Sequence, residues 1–263
     1  VSITTSVETV APDVVRIRHL FVNCYLIGTP ENWVLVDAAL SGATDAIVST
    51  AEETFGPDAK PAAIVLTHGH FDHVGALAEL LERWDVPVWA HPLEVPHLTG
   101  EEDYPPPDPK VGKGAMALLS FAYPYKAADF GDRVEPLPLD YGVPHLPDWK
   151  WIHTPGHTRG HISLFRESDG LLVAGDAFVT VEQESLYQVF RQKQEIHGPP
   201  AYFTPDWATA EESVRILEAL KPKIAATGHG SPMSGEDLSL GLAHLVALFE
   251  EVAVPDRGRY APE

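Results

Sequence analysis

Residues 66–75 read LTHGHFDHVG and place His68, His70, Asp72 and His73 within six positions. Imidazoles and carboxylates are the side chains that hold transition-metal ions, and two histidines one residue apart on an extended segment point the same way. His68 and His70 can therefore share one ion. Asp72 and His73 follow where the chain turns toward a helix, and can face a second ion beside the first. Chance assembles such a string in only about two of a thousand chains of this composition. Three further segments repeat one design of apolar strand, small-residue turn and ligand: WKWIHTPGHT with His157, GLLVAGDA with Asp176, and KIAATGHGS with His229. Gly156, Gly175 and Gly228 each precede the ligand and are expected to allow the tight backbone that aims it over the strand ends. A lone GD or GH turn is commonly only a turn. Four such segments in one chain point to a metal centre.

The surrounding elements are legible from periodicity. VVRIRHL, NCYLIG and WVLVDAAL alternate as strands do, and SGATDAIVSTAEETFG reads as a helix with Ser41 as cap and Gly56 as stop. AAIVLTH is a short continuous apolar run, as in a strand buried on both faces. HVGALAELLERW returns to helical spacing, and VPVWAHP, RVEPLPL, WKWIHT, HISLFRE and GLLVAGD read as strands. WATAEESVRILEALKP is an amphipathic helix, KIAATGHG a strand and turn, and EDLSLGLAHLVALFEEV a closing helix. Residues 99–130, opening with TGEEDYPPPDPK, and residues 184–207 read as irregular insertions, each with some helix. The expectation is one α/β domain over residues 1–263, with two sheets and outer helices.

Composition narrows the function. The 263 residues carry 38 acidic and 18 basic side chains, a formal charge of -20, which disfavours phosphate backbones and anionic lipid. A small-molecule substrate is expected, with no nucleic-acid or membrane partner; a homo-oligomer is left open. Cys24 is the single cysteine, so neither an internal disulfide nor a cysteine zinc cluster can form. The chain opens VSITTSVET, without a basic and apolar leader pattern, and no 18-residue apolar run occurs. A cytoplasmic protein is expected, although a first residue of Val leaves a removed leader open.

Together, the H-x-H-x-D-H string and the TPGHT, GDA and GHG segments resemble the metallo-β-lactamase-fold hydrolase superfamily along essentially the whole chain. The resemblance implies an αββα sandwich, two mixed sheets flanked by helices, with a dinuclear site at the sheet edges. It assigns His68, His70 and His157 to a first metal, Asp72, His73 and His229 to a second, and Asp176 to a bridge between them. The implied cofactors are two divalent ions: zinc on this donor set, with manganese or iron as alternatives. A water shared by the ions would act as hydroxide on a carbonyl, with Asp72 as the catalytic group that orients it and shuttles its proton.

True β-lactamases of that superfamily carry Cys or Ser near the position of Asp176, so small esters, thioesters or lactones are the expected substrates and β-lactams the lesser alternative. The lactonase branch has a tyrosine three residues past the bridge, where Val179 stands here; Tyr187 or Tyr202 could take its place. The glyoxalase-II branch ends in a helical domain for which the 34 residues after His229 are too few. The alternative is a mononuclear iron persulfide dioxygenase using His68, His157 and Asp176, against which retention of His229 argues. A non-catalytic binding protein is a third reading, opposed by the absence of any lost ligand. His161, four residues past His157, is expected to support the site, and His197, Phe71, Tyr202 and Trp207 could line a pocket. His19, His91, His97, His145, His153 and His244 lack ligand context.

Overall fold

A computed structural model describes residues 5–112 and 114–262; residues 1–4, at the start of VSITTSVET, and residues 113 and 263 lie outside the described residues. The chain divides into two compact units, residues 1–103 with 126–147, and residues 104–125 with 148–263.

The first unit holds a seven-stranded sheet whose strands follow in chain order: β1 (Thr5–Ala11), β2 (Val14–His19), β3 (Val22–Thr29), β4 (Asn32–Val36), β5 (Ala63–Val65), β6 (Val88–Ala90) and β7 (Val134–Pro136). β1 to β4 form an antiparallel meander, whereas β4 to β7 run parallel. Parallel neighbours need a crossover, and helices α1 (Thr44–Phe55) and α2 (Leu77–Trp84) supply the first two. The third crossover contains α3 (Val95–Leu98) and the 99–130 stretch, which includes α4 (Ala115–Leu119).

α2 buries Leu77, Leu80, Leu81 and Trp84, the i, i+3, i+4, i+7 stripe that its sequence spelled out. These side chains join Trp33, Leu35 and Ile64 from the strands and Ile47 and Ala51 from α1 in one core. Trp33 anchors it, stacked on Phe55 at 4.9 Å and edge-on to Trp84 at 5.6 Å. Ser41 does not cap α1. The helix starts at Thr44 behind Ala43, with no side-chain cap, because Gly42 at φ +86° turns the chain between Ser41 and the first helical turn.

The other sheet has the order β13-β12-β11-β10-β9-β8, and its strands from Asp148 onward belong to the second unit. Its strands are β8 (Gly142–Val143), β9 (Leu146–His153), β10 (Ile162–Arg166), β11 (Leu171–Gly175), β12 (Ile224–Thr227) and β13 (Met233–Ser234), with the division between the units falling inside β9. β9, β10 and β11 pair antiparallel; β11 and β12 pair parallel, across a crossover holding α5 (Leu186–Arg191) and α6 (Trp207–Ala219). The closing helix is interrupted at Leu248, giving α7 (Gly235–Ala247) and α8 (Phe249–Val252). The sheets are mixed and carry helices, which is the fold class expected from the sequence.

Within this unit the two irregular stretches brace one another. The Asp108 N–H bonds the Tyr202 carbonyl at 2.8 Å, and Met116 N–H bonds that of Glu184 at 3.2 Å. Tyr123 packs edge-on to Tyr202 at 5.6 Å. The C-terminal segment fastens the same loop, through Arg259 N–H to the Asp108 carboxylate and Tyr260 hydroxyl to the Pro106 carbonyl at 2.8 Å. No helix among the described residues is long and apolar enough to cross a membrane.

Candidate metal centre

The first unit contributes His68, His70, Asp72 and His73. β5 ends at Val65, the chain runs on without regular structure through His70, and it then turns over residues 71–74. His73 N–H closes the turn on the His70 carbonyl at 2.8 Å. The turn rests on the segment after β4: Ala38 N–H bonds the His73 carbonyl and Gly75 N–H the Ala39 carbonyl, both at 2.7 Å. A Cβ on Gly75 would lie 2.3 Å from the Ser41 backbone nitrogen, so only glycine permits this approach. The ring of His68 is 4.7 Å from that of His70 and 4.1 Å from that of His73. All four side chains are buried.

Isolated imidazoles rotate, and here hydrogen bonds to the second ring nitrogen fix them. Asp37, buried just past β4 in the left-handed region at φ +61°, is the hub. Its carboxylate accepts the Thr67 N–H, the Thr67 hydroxyl and His73 Nδ1–H, each at 2.8 Å. Because the Thr67 hydroxyl donates to Asp37, its oxygen accepts from His68 Nδ1 at 3.1 Å. The fully buried Glu94 carboxylate accepts the Gly69 N–H at 3.1 Å and holds the backbone between the first two histidines. This is the arrangement by which carboxylates and hydroxyls behind a metal site orient ligating histidines.

The second unit contributes His157, Asp176 and His229 from the turns after β9, β11 and β12. Asp176 joins them: its Oδ2 lies 3.5 Å from His157 Nε2 and 3.2 Å from His229 Nε2. His157 Nδ1 is held by Thr204 Oγ1 at 3.2 Å, whose own proton goes to the Pro200 carbonyl at 2.8 Å. Gly156 at φ +127° and Gly175 at φ +54° adopt the backbone expected before a ligand. In the third turn the left-handed glycine is not Gly228 but Gly230 at φ +91°, after the histidine, where a Cβ would lie 2.3 Å from Thr180 Oγ1.

His161 is fully buried and accepts the Asp176 backbone N–H on Nε2 at 2.9 Å. His197 forms an antiparallel bridge with Val179 and lines a cleft of about 320 Å³ with Glu182 and Glu184. Burial pushes the Glu184 carboxyl above its ordinary range, against a backbone hydrogen bond from Ala201. Of the two tyrosines considered for the lactonase position, Tyr187 is 67% exposed and Tyr202 is buried. Cys24 is buried, and desolvation, then the charge of Asp37, raises its thiol pKa, which removes it as a nucleophile.

Asp37, Thr67, Glu94 and Thr204 are the functional side chains that sequence reasoning missed. Asp37 had a signal, a carboxylate ending the apolar run WVLV, but its partner His73 lies 36 residues away. In each unit the donors fit divalent metal: His68 and His73 in the first, and His157 in the second, have Nδ1 tied to an oxygen, the pattern of imidazoles that ligate through Nε2.

These features are those of a known family. Residues 17–229 match the model of the metallo-beta-lactamase superfamily. The chain is 50% identical over 226 residues to the probable metallo-hydrolase YflN of Bacillus subtilis, covering 85% of this chain and 86% of that protein. It is 34% identical over 147 residues to a hydroxyacylglutathione hydrolase of Erwinia tasmaniensis, covering 54% of this chain and 45% of the relative. Among solved structures, that of TTHA1623 in a di-iron-bound form is 25% identical, with a TM-score of 0.55 and 98% of both chains covered. The chain belongs to the metallo-β-lactamase superfamily and is a metal-binding hydrolase of that class.

Proposed function

We propose that this chain hydrolyses small esters, thioesters or lactones with two divalent ions. The observation that carries the reading is Asp176, whose Oδ2 stands within 3.5 Å of the Nε2 atoms of both His157 and His229. A carboxylate among imidazoles that ligate through Nε2 is the group that can serve two cations. His68, His70 and His157 would hold the first ion, Asp72, His73 and His229 the second, and Asp176 both. Zinc suits these imidazole and carboxylate donors. Bound there, the ions would supply a water that ionises near neutral pH and a Lewis acid for the substrate carbonyl.

The chain's own groups do the remaining work. Asp72 orients the attacking water, takes its proton and returns it to the leaving oxygen. Asp37 holds His73 in one tautomer, and Thr67 and Thr204 do the same for His68 and His157. Buried flanking side chains keep these groups from exchanging partners with bulk water. An acidic surface turns away polyanions and leaves neutral or small substrates favoured. The likeness to a hydroxyacylglutathione hydrolase supports acyl thioesters within this class.

The test is a panel of acyl thioesters, lactones, aryl esters, phosphoesters and a chromogenic cephalosporin, offered to zinc-loaded and metal-stripped protein. Turnover of carbonyl esters or thioesters that disappears on chelation and returns with zinc is expected. Oxygen uptake on a persulfide, with no hydrolysis, would instead mean one iron and oxidation chemistry.

A further inference from the structure

His161 sits at the centre of a buried polar chain whose two ends grip the same turn. Its Nε2 accepts the Asp176 N–H at 2.9 Å, so the ring proton is on Nδ1. Nδ1 lies 2.8 Å from Thr154 Oγ1 and 3.1 Å from the Thr154 carbonyl. Thr154 Oγ1 is 3.0 Å from Ser163 Oγ, and the Ser163 hydroxyl donates to the Ala174 carbonyl at 2.9 Å. With both termini fixed, the donors run in one direction: His161 Nδ1–H to Thr154, Thr154 to Ser163, Ser163 to Ala174. One end therefore holds the carbonyl of Ala174 and the other the amide of Asp176, on either side of Gly175.

The backbone there needs such a clamp. β11 and β12 lose register between Val173 and Gly175, and Gly175 turns at φ +54°. Ala174 therefore falls in the irregularity of that ladder, where the hydroxyl of Ser163 takes up its carbonyl. Thr154, His161, Ser163 and Ala174 are all fully buried, away from bulk solvent. A polar chain satisfied in the interior has a single arrangement and is rigid for that reason.

We propose that His161 is a positioning residue: as the Nδ1–H tautomer, relayed through Thr154 and Ser163, it sets the backbone of Asp176 and so the aim of its carboxylate. The inference rests on the reading of Asp176 as the ligand shared by two ions. His161 touches neither substrate nor ion, and acts through the turn.

The experiment titrates zinc against a chromophoric chelator on apo wild type and on apo His161→Leu, His161→Gln, Thr154→Val and Ser163→Ala, each melted to check its fold. Groups behind a metal ligand typically contribute 10–100-fold in affinity, and His161→Leu is expected to weaken the last-bound ion by about that factor. His161→Gln restores an acceptor for the Asp176 N–H and is expected to recover most of the loss. Thr154→Val and Ser163→Ala should fall between. Ring nitrogen NMR of the apo protein should show His161 as the Nδ1–H tautomer.

Equal zinc affinity in wild type and His161→Leu would overturn the inference, as would an Nε2–H tautomer. If His161→Leu does not fold, Thr154→Val and Ser163→Ala decide it: weakened zinc binding supports the relay, and unchanged binding overturns it. If wild type takes up one ion only, the paired-ion reading fails, and the relay is judged on that ion by the same comparison.

Discussion

Asp176→Ala is expected to bind one ion per chain in place of two, and to lose about 10³-fold or more in kcat/KM, roughly 4 kcal/mol of transition-state stabilisation. Asp176 is the carboxylate that faces both His157 and His229 through one oxygen. With two cations bound, its negative charge would offset their repulsion, and alanine would remove both the charge and the ligand. Thr204 still holds the His157 ring, and the His229 carbonyl still accepts from Thr227 and Thr180, independently of the Asp176 side chain. The variant should therefore fold and keep a weakened mononuclear site. Metal analysis alongside kinetics checks this, with Asp176→Asn as a control that keeps the shape. Two ions retained at wild-type affinity in Asp176→Ala would remove the bridge from the account.

Asp72→Asn has the second largest expected effect, about 10²–10⁴-fold in kcat, the usual contribution of a positioned proton-transfer group. Asp72 sits between Phe71 and His73 in the turn, 7% exposed, and asparagine preserves its oxygen while removing its basicity. Metal content should stay nearer to wild type than in Asp176→Ala. The discriminating readout is the leaving group. If Asp72 returns the proton, the loss is larger for alkyl esters, whose alkoxide leaving groups need protonation, than for nitrophenyl esters and thioesters, whose leaving groups depart as anions. An equal loss across the series would mean that Asp72 does not deliver the proton to the leaving group.

The seven candidate ligands were legible because ligand chemistry is local. H-x-H-x-D-H is one loop, and each remaining ligand ends an apolar strand at a glycine turn. What holds them was not legible, since those bonds are long-range in sequence: Asp37 to His73 across 36 residues and Thr204 to His157 across 47. The strands and α2 followed from their periodicity, whereas the start of α1 depended on the backbone angle of Gly42, which no periodicity encodes. The irregular stretches 99–130 and 184–207 were visible only as breaks in pattern. That they pack together rests on pairs such as Tyr123 with Tyr202, a tertiary choice that composition does not dictate.

Metal analysis of protein purified without a histidine tag and without added metal decides whether this chain works with two ions. Two divalent ions per chain, zinc first among them, are predicted, with both lost on prolonged chelation and both regained on titration. One iron per chain, with no second ion taken up at any zinc or manganese concentration, would rule out the paired-ion site. His229 would then be idle beside a one-metal oxygen site built on His68, His157 and Asp176.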